Sequence, residues 1–555
     1  MRVLSVIFSL LILFSCARQG TPTGGPKDVT PPQFLGSNPD TLSTNVPTSL
    51  KEIKIEFDEY IVLKEHTKNI VVSPPLGSTA SFMPIGSPSK TLKIKFNEPL
   101  EPNTTYNINF GNAIQDNNEG NKLPYFSYVF STGEFIDSLS IKGKANIPSL
   151  KKKSEDLIVA LYKVDSNYND SLILKTKPFY VAKVDKEGNF NLNYLSPGKY
   201  QMIAFEDVAQ NMQFDIGKEK FGYLDEWIEL NENQEYNIQL FDQLAHYKVG
   251  RAEQKGYGHI LFRFEGQPDK VEIEPLDMDF TTSEISYVPK SDSLNFWFKP
   301  SIDSIAEASK RLRFSVKNQD KIDTISVVYS NNIQHKLTLD RKSKLDYAPS
   351  RIIPLKANYP IVKLDSSKVE VWKDSIRIPA LLLADSKNKN LASLKFPMEF
   401  NTKYEVFILP NAIEDYFGET NDSVKFDFKT KQKNDYGNLR LRLENKPNHP
   451  FWLQMFNEKD ELIDEKYTTE SYFEYNHLPS GKFYFKLLVD ENENGHWDTG
   501  NFFERKQPEA SYVYPTDITT RVMWDIEETW VIPSPTVWIK DEKEKSPSEI
   551  EEDLP

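Results

Sequence analysis

The sequence predicts an all-β protein, built as tandem β-sandwich modules in an elongated array. Three observations carry that prediction. First, apolar and polar residues alternate with period two, as in Ile53-Lys-Ile55-Glu-Phe57, Leu92-Lys-Ile94-Lys-Phe96 and Tyr106-Asn-Ile108-Asn-Phe110, which places one face of each segment in a core. Second, Pro, Asn and Gly clusters break these runs at short spacing, the pattern of a sandwich rather than of a βαβ fold. Third, the 26 Tyr, 35 Phe and 35 Pro suit strands and turns better than long helices. The best helical candidate is short, residues 304–312.

Length and charge narrow the function classes. At roughly 100–200 residues per domain, 555 residues predict three to five domains. A single cysteine excludes an internal disulfide framework. With 67 Lys+Arg against 81 Asp+Glu the formal net charge is −14, and no basic stripe interrupts it, so the sequence predicts no nucleic-acid partner.

The N-terminus predicts the compartment. Arg2 precedes an uncharged apolar run over residues 3–15. That run is too short for a membrane-spanning helix, which needs about 20 residues, and fits a signal-peptide core. Residues 1–15 are therefore read as a signal peptide. The run ends Leu13-Phe14-Ser15-Cys16, which resembles the lipobox of bacterial lipoproteins, with Phe14 bulkier than usual there. The resemblance implies that Cys16 becomes the first mature residue and carries acyl chains, palmitate among them, which moor the protein to a membrane. Residues 16–30, rich in Gly, Pro and Thr, read as a flexible tether after the lipidated Cys. The acidic run that often follows the Cys of surface-exported Bacteroidota lipoproteins is absent from Ala17-Arg18-Gln19-Gly20. A periplasmic and an outward-facing orientation both stay open.

Internal comparison then divides the body. Asn103-Thr-Thr-Tyr106 reappears as Asn401-Thr-Lys-Tyr404, and Asn112-Ala-Ile-Gln-Asp116 as Asn411-Ala-Ile-Glu-Asp415. Tyr194-Leu-Ser-Pro-Gly-Lys-Tyr200 matches His477-Leu-Pro-Ser-Gly-Lys-Phe483. The order is one pair of modules, a middle β segment, then the pair again. Residues 31–133, with Phe96-Asn-Glu-Pro99 and Leu100-Glu-Pro-Asn-Thr-Thr-Tyr106, resemble the bacterial Ig-like domain of the S-layer-protein (SbsA-like) type. Residues 134–242, with Asp185-Lys-Glu-Gly-Asn-Phe190 and Leu195-Ser-Pro-Gly-Lys-Tyr200, are similar to transthyretin-like modules of the carboxypeptidase-regulatory type. The internal repeat makes 346–433 a degenerate Ig-like repeat and 434–535 a second transthyretin-like module, and leaves 243–345, where the resemblance is absent, as an unassigned β domain. The charged, apolar-poor stretch 536–555 reads as a disordered acidic tail. Lipobox, tether and Ig-like module together are similar to a group of Bacteroidota outer-envelope lipoproteins, which implies a lipid-anchored location, at the outer membrane.

Few constellations offer chemistry. Asp490, Asn492 and Asn494, with Gly495 following, fall at positions 1, 3, 5 and 6 of a calcium loop. The carbonyl of His496 and the side chain of Asp498 fall at positions 7 and 9. Position 12 is Asn501, and the acid Glu504 comes three residues late. Two readings stand: a structural Ca²⁺ site, or an Asx-rich turn satisfied by its own backbone. The preceding module offers only Asp207, Asn211 and Asp215 in the equivalent stretch. Asp-Ser/Thr-aliphatic recurs at Thr41, Ser138, Ser171, Ser293, Ser304, Thr324, Ser375 and Ser423. It resembles the acceptor motif of Bacteroidota O-glycosylation and equally suits the start of a strand. Trp452, Tyr472, Trp497, Trp524 and Trp530 belong to an aromatic cluster in 434–535 that suits a core, except for Trp497 on its loop.

No metalloprotease, nucleophile-elbow, P-loop or dinucleotide motif occurs. The sequence predicts a non-enzymatic, lipid-anchored envelope protein that acts as a structural or binding scaffold for protein or glycan. Two alternatives are an accessory subunit of an outer-membrane assembly or secretion machine, and a glycan-active enzyme with carboxylates in 243–345.

Overall fold

The computed structural model describes residues 28–533 except for short internal stretches, the longest being 300–308 and 342–347. Cys16, the leader 1–15, the tether up to residue 27, Ser304 and the tail 536–555 lie outside the described residues. Among those described, nearly every element is a strand, and the one α-helix is the single turn His66–Asn69. The protein is an elongated, nearly all-β chain of β-sheet modules.

Alternation builds the first unit. Along the strand Glu52–Leu63, Ile53, Ile55 and Phe57 are buried while Lys54 and Glu56 face solvent. This strand lies between Phe34–Asn38 and Ser89–Lys95 in one sheet. The second sheet runs Val71–Ser73, Thr105–Asn109, Ser127–Ser131, and Tyr106, Ile108, Tyr128 and Phe130 meet the first across the core.

The repeated Asn-Thr-x-Tyr motif has a physical basis. Asn103 and Asn401 adopt left-handed φ of 48° and 51°, which Asn tolerates better than most residues. The turn lets the Tyr106 hydroxyl accept the N–H of Glu101 (2.9 Å) and that of Tyr404 accept the N–H of Glu399 (2.7 Å). The Thr132 and Thr430 hydroxyls close the same corners on the carbonyls of Glu101 and Glu399. The two units thus share a tyrosine corner, a feature of Ig-type sandwiches.

The second repeat holds at the level of topology. In the second unit one sheet is ordered Tyr180–Lys183, Leu157–Lys163, Gly198–Glu206, Lys220–Tyr223, with Ile228–Leu230 also on Gly198–Glu206. In the last unit the order is Leu462–Thr468, Phe451–Asn457, Gly481–Val489, Ser511–Val513, with Ile518–Thr520 on Gly481–Val489. Each has a second sheet closed by a parallel pair, Leu139–Asn146 with Gln234–Gln239 and Gly437–Glu444 with Asp525–Val531. A parallel pair so far apart in sequence is unusual in a mostly antiparallel sandwich, and finding it twice identifies the units as copies.

The middle unit sets Lys248–Gly256, His259–Glu265, Ser293–Phe298 and Ser283–Tyr287 against Val271–Pro275, Ser309–Asn318 and Lys321–Ser330. Here the expected helix over 304–312 is corrected where the structure describes it: Ser309–Asn318 is a strand, paired along its length with Lys321–Ser330. Burial of Leu312, Phe314 and Val316 on one face outweighs the local helical preference.

Candidate functional site

The strand Gly481–Val489 delivers Asp490 into the loop that the sequence singles out. Asp490 is fully buried and accepts from the Tyr467 hydroxyl (2.7 Å), the Gly495 N–H (2.7 Å) and the Asn494 N–H (3.0 Å). Asn492 and Asn494 both donate side-chain N–H to Asp498 Oδ2 at 2.7 Å. Asp490, Asn492, Asn494 and Asp498 therefore do converge, with the N–H of His496 on Asn494 Oδ1 (2.8 Å). The acid that closes the loop is Glu509, which sequence spacing misses. Its Oε1 accepts the N–H groups of Glu491 and Asn492, and its Oε2 that of Asp498 (2.7 Å). Glu504 is not part of the loop; it pairs with Lys506. Among the described residues no group of three or more His, Cys, Asp or Glu is placed to hold a metal ion.

The second unit builds the same loop. Asp207 accepts the N–H groups of Asn211 and Met212, as Asp490 does those of Asn494 and Gly495. Glu219 accepts from Val208 and Ala209 with one oxygen and from Asp215 with the other, as Glu509 does from Glu491, Asn492 and Asp498. Burial pushes the Glu219 and Glu509 carboxyls up. Burial also pushes Asp490 up, but the Tyr467 hydroxyl and the backbone N–H donors outweigh it and hold the carboxyl below its ordinary value. Asp116 is held down in the same way, by the N–H groups of Glu119, Asn121, Gly120 and Asn118 against burial. A depressed carboxyl contributes stability that is complete at neutral pH and is lost as pH falls from about 4 through the folded value. Acid unfolding monitored by circular dichroism should accordingly begin at a higher pH in wild type than in Asp116→Asn, relative to each protein's neutral-pH stability.

Asp215 and Glu219 are four positions apart and Asp498 and Glu509 eleven, so the last unit carries an insertion of seven. That insertion reaches back onto the second unit. Phe502, fully buried, packs on Phe221 and Tyr223 with ring centroids 5.4 and 5.0 Å away. Gly500 sits so close to Phe241 that a Cβ would meet its ring at 2.6 Å. The Phe502 N–H donates to Gln243 Oε1 (2.8 Å) and the Thr499 hydroxyl to the Asp242 carbonyl (2.7 Å). Arg505 donates to Asp170 (2.7 Å) and Gln201 (3.2 Å) and lies over the Phe502 ring. The repeated units are clasped together by an element that only one of them has.

Of the glycosylation candidates, Ser138, Ser171, Thr324, Ser375 and Ser423 are exposed, and Thr41 and Ser293 are half-buried. The Thr41 hydroxyl lies 3.4 Å from the Val129 carbonyl, and the Asp170 carboxylate beside Ser171 is engaged by Arg505. Trp530 is core, Trp524 is half-exposed, and Trp497 donates its indole N–H to the Glu509 carbonyl (3.0 Å).

Residues 28–132 match the family described as bacterial Ig-like domain. Among solved structures, surface layer protein SbsC, domains 1–6, aligns over 73% of this chain and 67% of its own at 8% identity and a TM-score of 0.19. The Bacillus anthracis TIE protein aligns over 92% and 76% at 11% identity and a TM-score of 0.13. A DUF3823 family protein from Parabacteroides merdae aligns over 35% and 99% at 13% identity and a TM-score of 0.12. No curated protein matches the chain.

Proposed function

We propose that the protein is a non-enzymatic scaffold of the bacterial cell envelope, moored through acyl chains on Cys16, whose modules hold a protein or glycan partner. The observation that carries this reading is the clasp: the buried side chain of Phe502 and the Arg505–Asp170 pair fix one repeat against the other. The carboxylates that converge at the two repeated loops are spent on backbone N–H groups of their own turns, which is a structural use of acids. A membrane attachment through lipid requires no spanning segment, and two or three acyl chains hold far more firmly than one.

The test is Cys16→Ser in the native host. The variant should move from the membrane pellet to the soluble fraction and lose incorporation of labelled palmitate. A Cys16→Ser protein that stays in the pellet through high-salt washing would show that the mooring is not the lipid.

A further inference from the structure

The repeat provides an internal control for one surface. In both copies the larger sheet has an inner face, on the core, and an outer face. In the second unit the outer face carries Ile158, Ala160, Ile203 and Phe205, and other parts of the chain cover it, including Val71 from the first unit and Phe502 from the last. Strand pairing sets Ile158 opposite Phe205 and Trp452 opposite Leu488, so the equivalent outer face of the last unit presents Trp452, Gln454, Lys486 and Leu488. Of this face, Trp452, Gln454 and Leu488 form the floor of a cleft of about 1230 Å³, which Lys486 does not line. The loop with Trp497 walls it on one side, and Asp242, Leu244 and Gln267 border it.

The lining chemistry selects an occupant. Trp452 and Trp497 are half-buried, each offering ring surface to the cleft, and Trp452 is braced by Tyr467 at 4.9 Å. Every formal charge that lines the cleft is engaged from within the protein. Asp242 pairs with Lys220, and Glu504 with Lys506. Glu465 accepts from Gln454 (2.6 Å), Asp498 from Asn492 and Asn494, and Glu509 from three backbone N–H groups. A phosphate or sulfate would meet five carboxylates and one lysine that is already paired, and a basic peptide would have to displace the hydrogen bonds that hold those carboxylates in their turns. An apolar helix would bury these amides and carboxylates against hydrocarbon at a cost of several kcal/mol each. A neutral polyhydroxylated chain meets neither obstacle. Its C–H faces lie on indole rings, and its hydroxyls both donate and accept, matching side-chain amides and the spare lone pairs of engaged carboxylates.

We propose that this cleft binds a neutral glycan chain, with Trp452 and Trp497 as stacking platforms and Gln454 as a hydroxyl partner. The inference rests on the scaffold reading above and supplies its ligand class. The experiment is calorimetric titration of the full-length mature protein with the neutral hexasaccharides of cellulose, xylan, mannan and laminarin. Chondroitin sulfate hexasaccharide and hexalysine serve as charged probes. At least one neutral hexasaccharide should bind with a change in tryptophan emission. Trp452→Ala should weaken it about tenfold or more, the scale of an aromatic anchor. Gln454→Ala, which removes no ring, should weaken it severalfold and covers the case in which the first variant folds poorly. Binding that ignores both substitutions, stronger binding of either charged probe, or no binding across the neutral panel would overturn the proposal. The last outcome leaves the scaffold reading standing. Recovery of shortened oligosaccharides after incubation would instead uphold the cleft and overturn the non-enzymatic reading.

Discussion

Phe502→Ala should destabilise the second unit, residues 134–242, by about 3–5 kcal/mol, although the substituted residue lies some 260 positions from that unit's end. The ring fills a space between Phe221, Tyr223 and Phe241. Removing it leaves a cavity against the outer face of the sheet, and the loss is both transfer free energy and lost contacts. Amide hydrogen exchange of the full chain reads the effect unit by unit. Protection should fall across Gly198–Glu206 and Lys220–Tyr223 and stay unchanged in Glu52–Leu63 of the first unit. Phe503→Ala is the control, since Phe503 is only half-buried and its ring lies tilted against His246 at 5.2 Å. Equal protection in Phe502→Ala and wild type would mean that the clasp does not form in solution.

Asp490→Ala should cost about 3 kcal/mol, because it removes the one buried carboxylate that accepts charge-assisted hydrogen bonds from the Tyr467 hydroxyl and two backbone N–H groups. Thermal unfolding in the presence and absence of excess EDTA separates the two readings of the loop. If the turn stands on its own hydrogen bonds, EDTA leaves the wild-type Tm unchanged while Asp490→Ala lowers it. A fall in the wild-type Tm on chelation, absent from the variant, would assign a cation to Asp490, Asn492, Asn494 and Asp498.

Much of this architecture is legible in the sequence because it is local. Period two fixes which of Ile53, Lys54 and Ile55 face inward, and an Asn at positive φ followed by Tyr three residues on fixes the corners at Tyr106 and Tyr404. What escapes is what distance in sequence hides. Spacing taken from a twelve-residue loop points to Asn501 and Glu504, whereas the closing acid is Glu509, displaced by the seven inserted residues. Aligning Asp207, Asp215 and Glu219 with Asp490, Asp498 and Glu509 exposes both the missing acid and the insertion with its paired Phe502 and Phe503. No local pattern says that Phe502 is buried in a different unit. The strand Ser309–Asn318 escapes for a related reason, since its fate is decided by the partner strand rather than by its own residues.

The bond between Gln243 and Phe502 joins positions 259 apart and so closes the middle of the chain into a ring. Tension between the two ends of the described chain would pass from the second unit directly into the last, across the Phe502 anchor, and leave the third and fourth units slack. Those two would begin to bear load only after the anchor tears free, at which point the molecule would lengthen in one step before any of its sandwiches unravels. A chain with such a reserve would yield to a sharp pull without losing its fold.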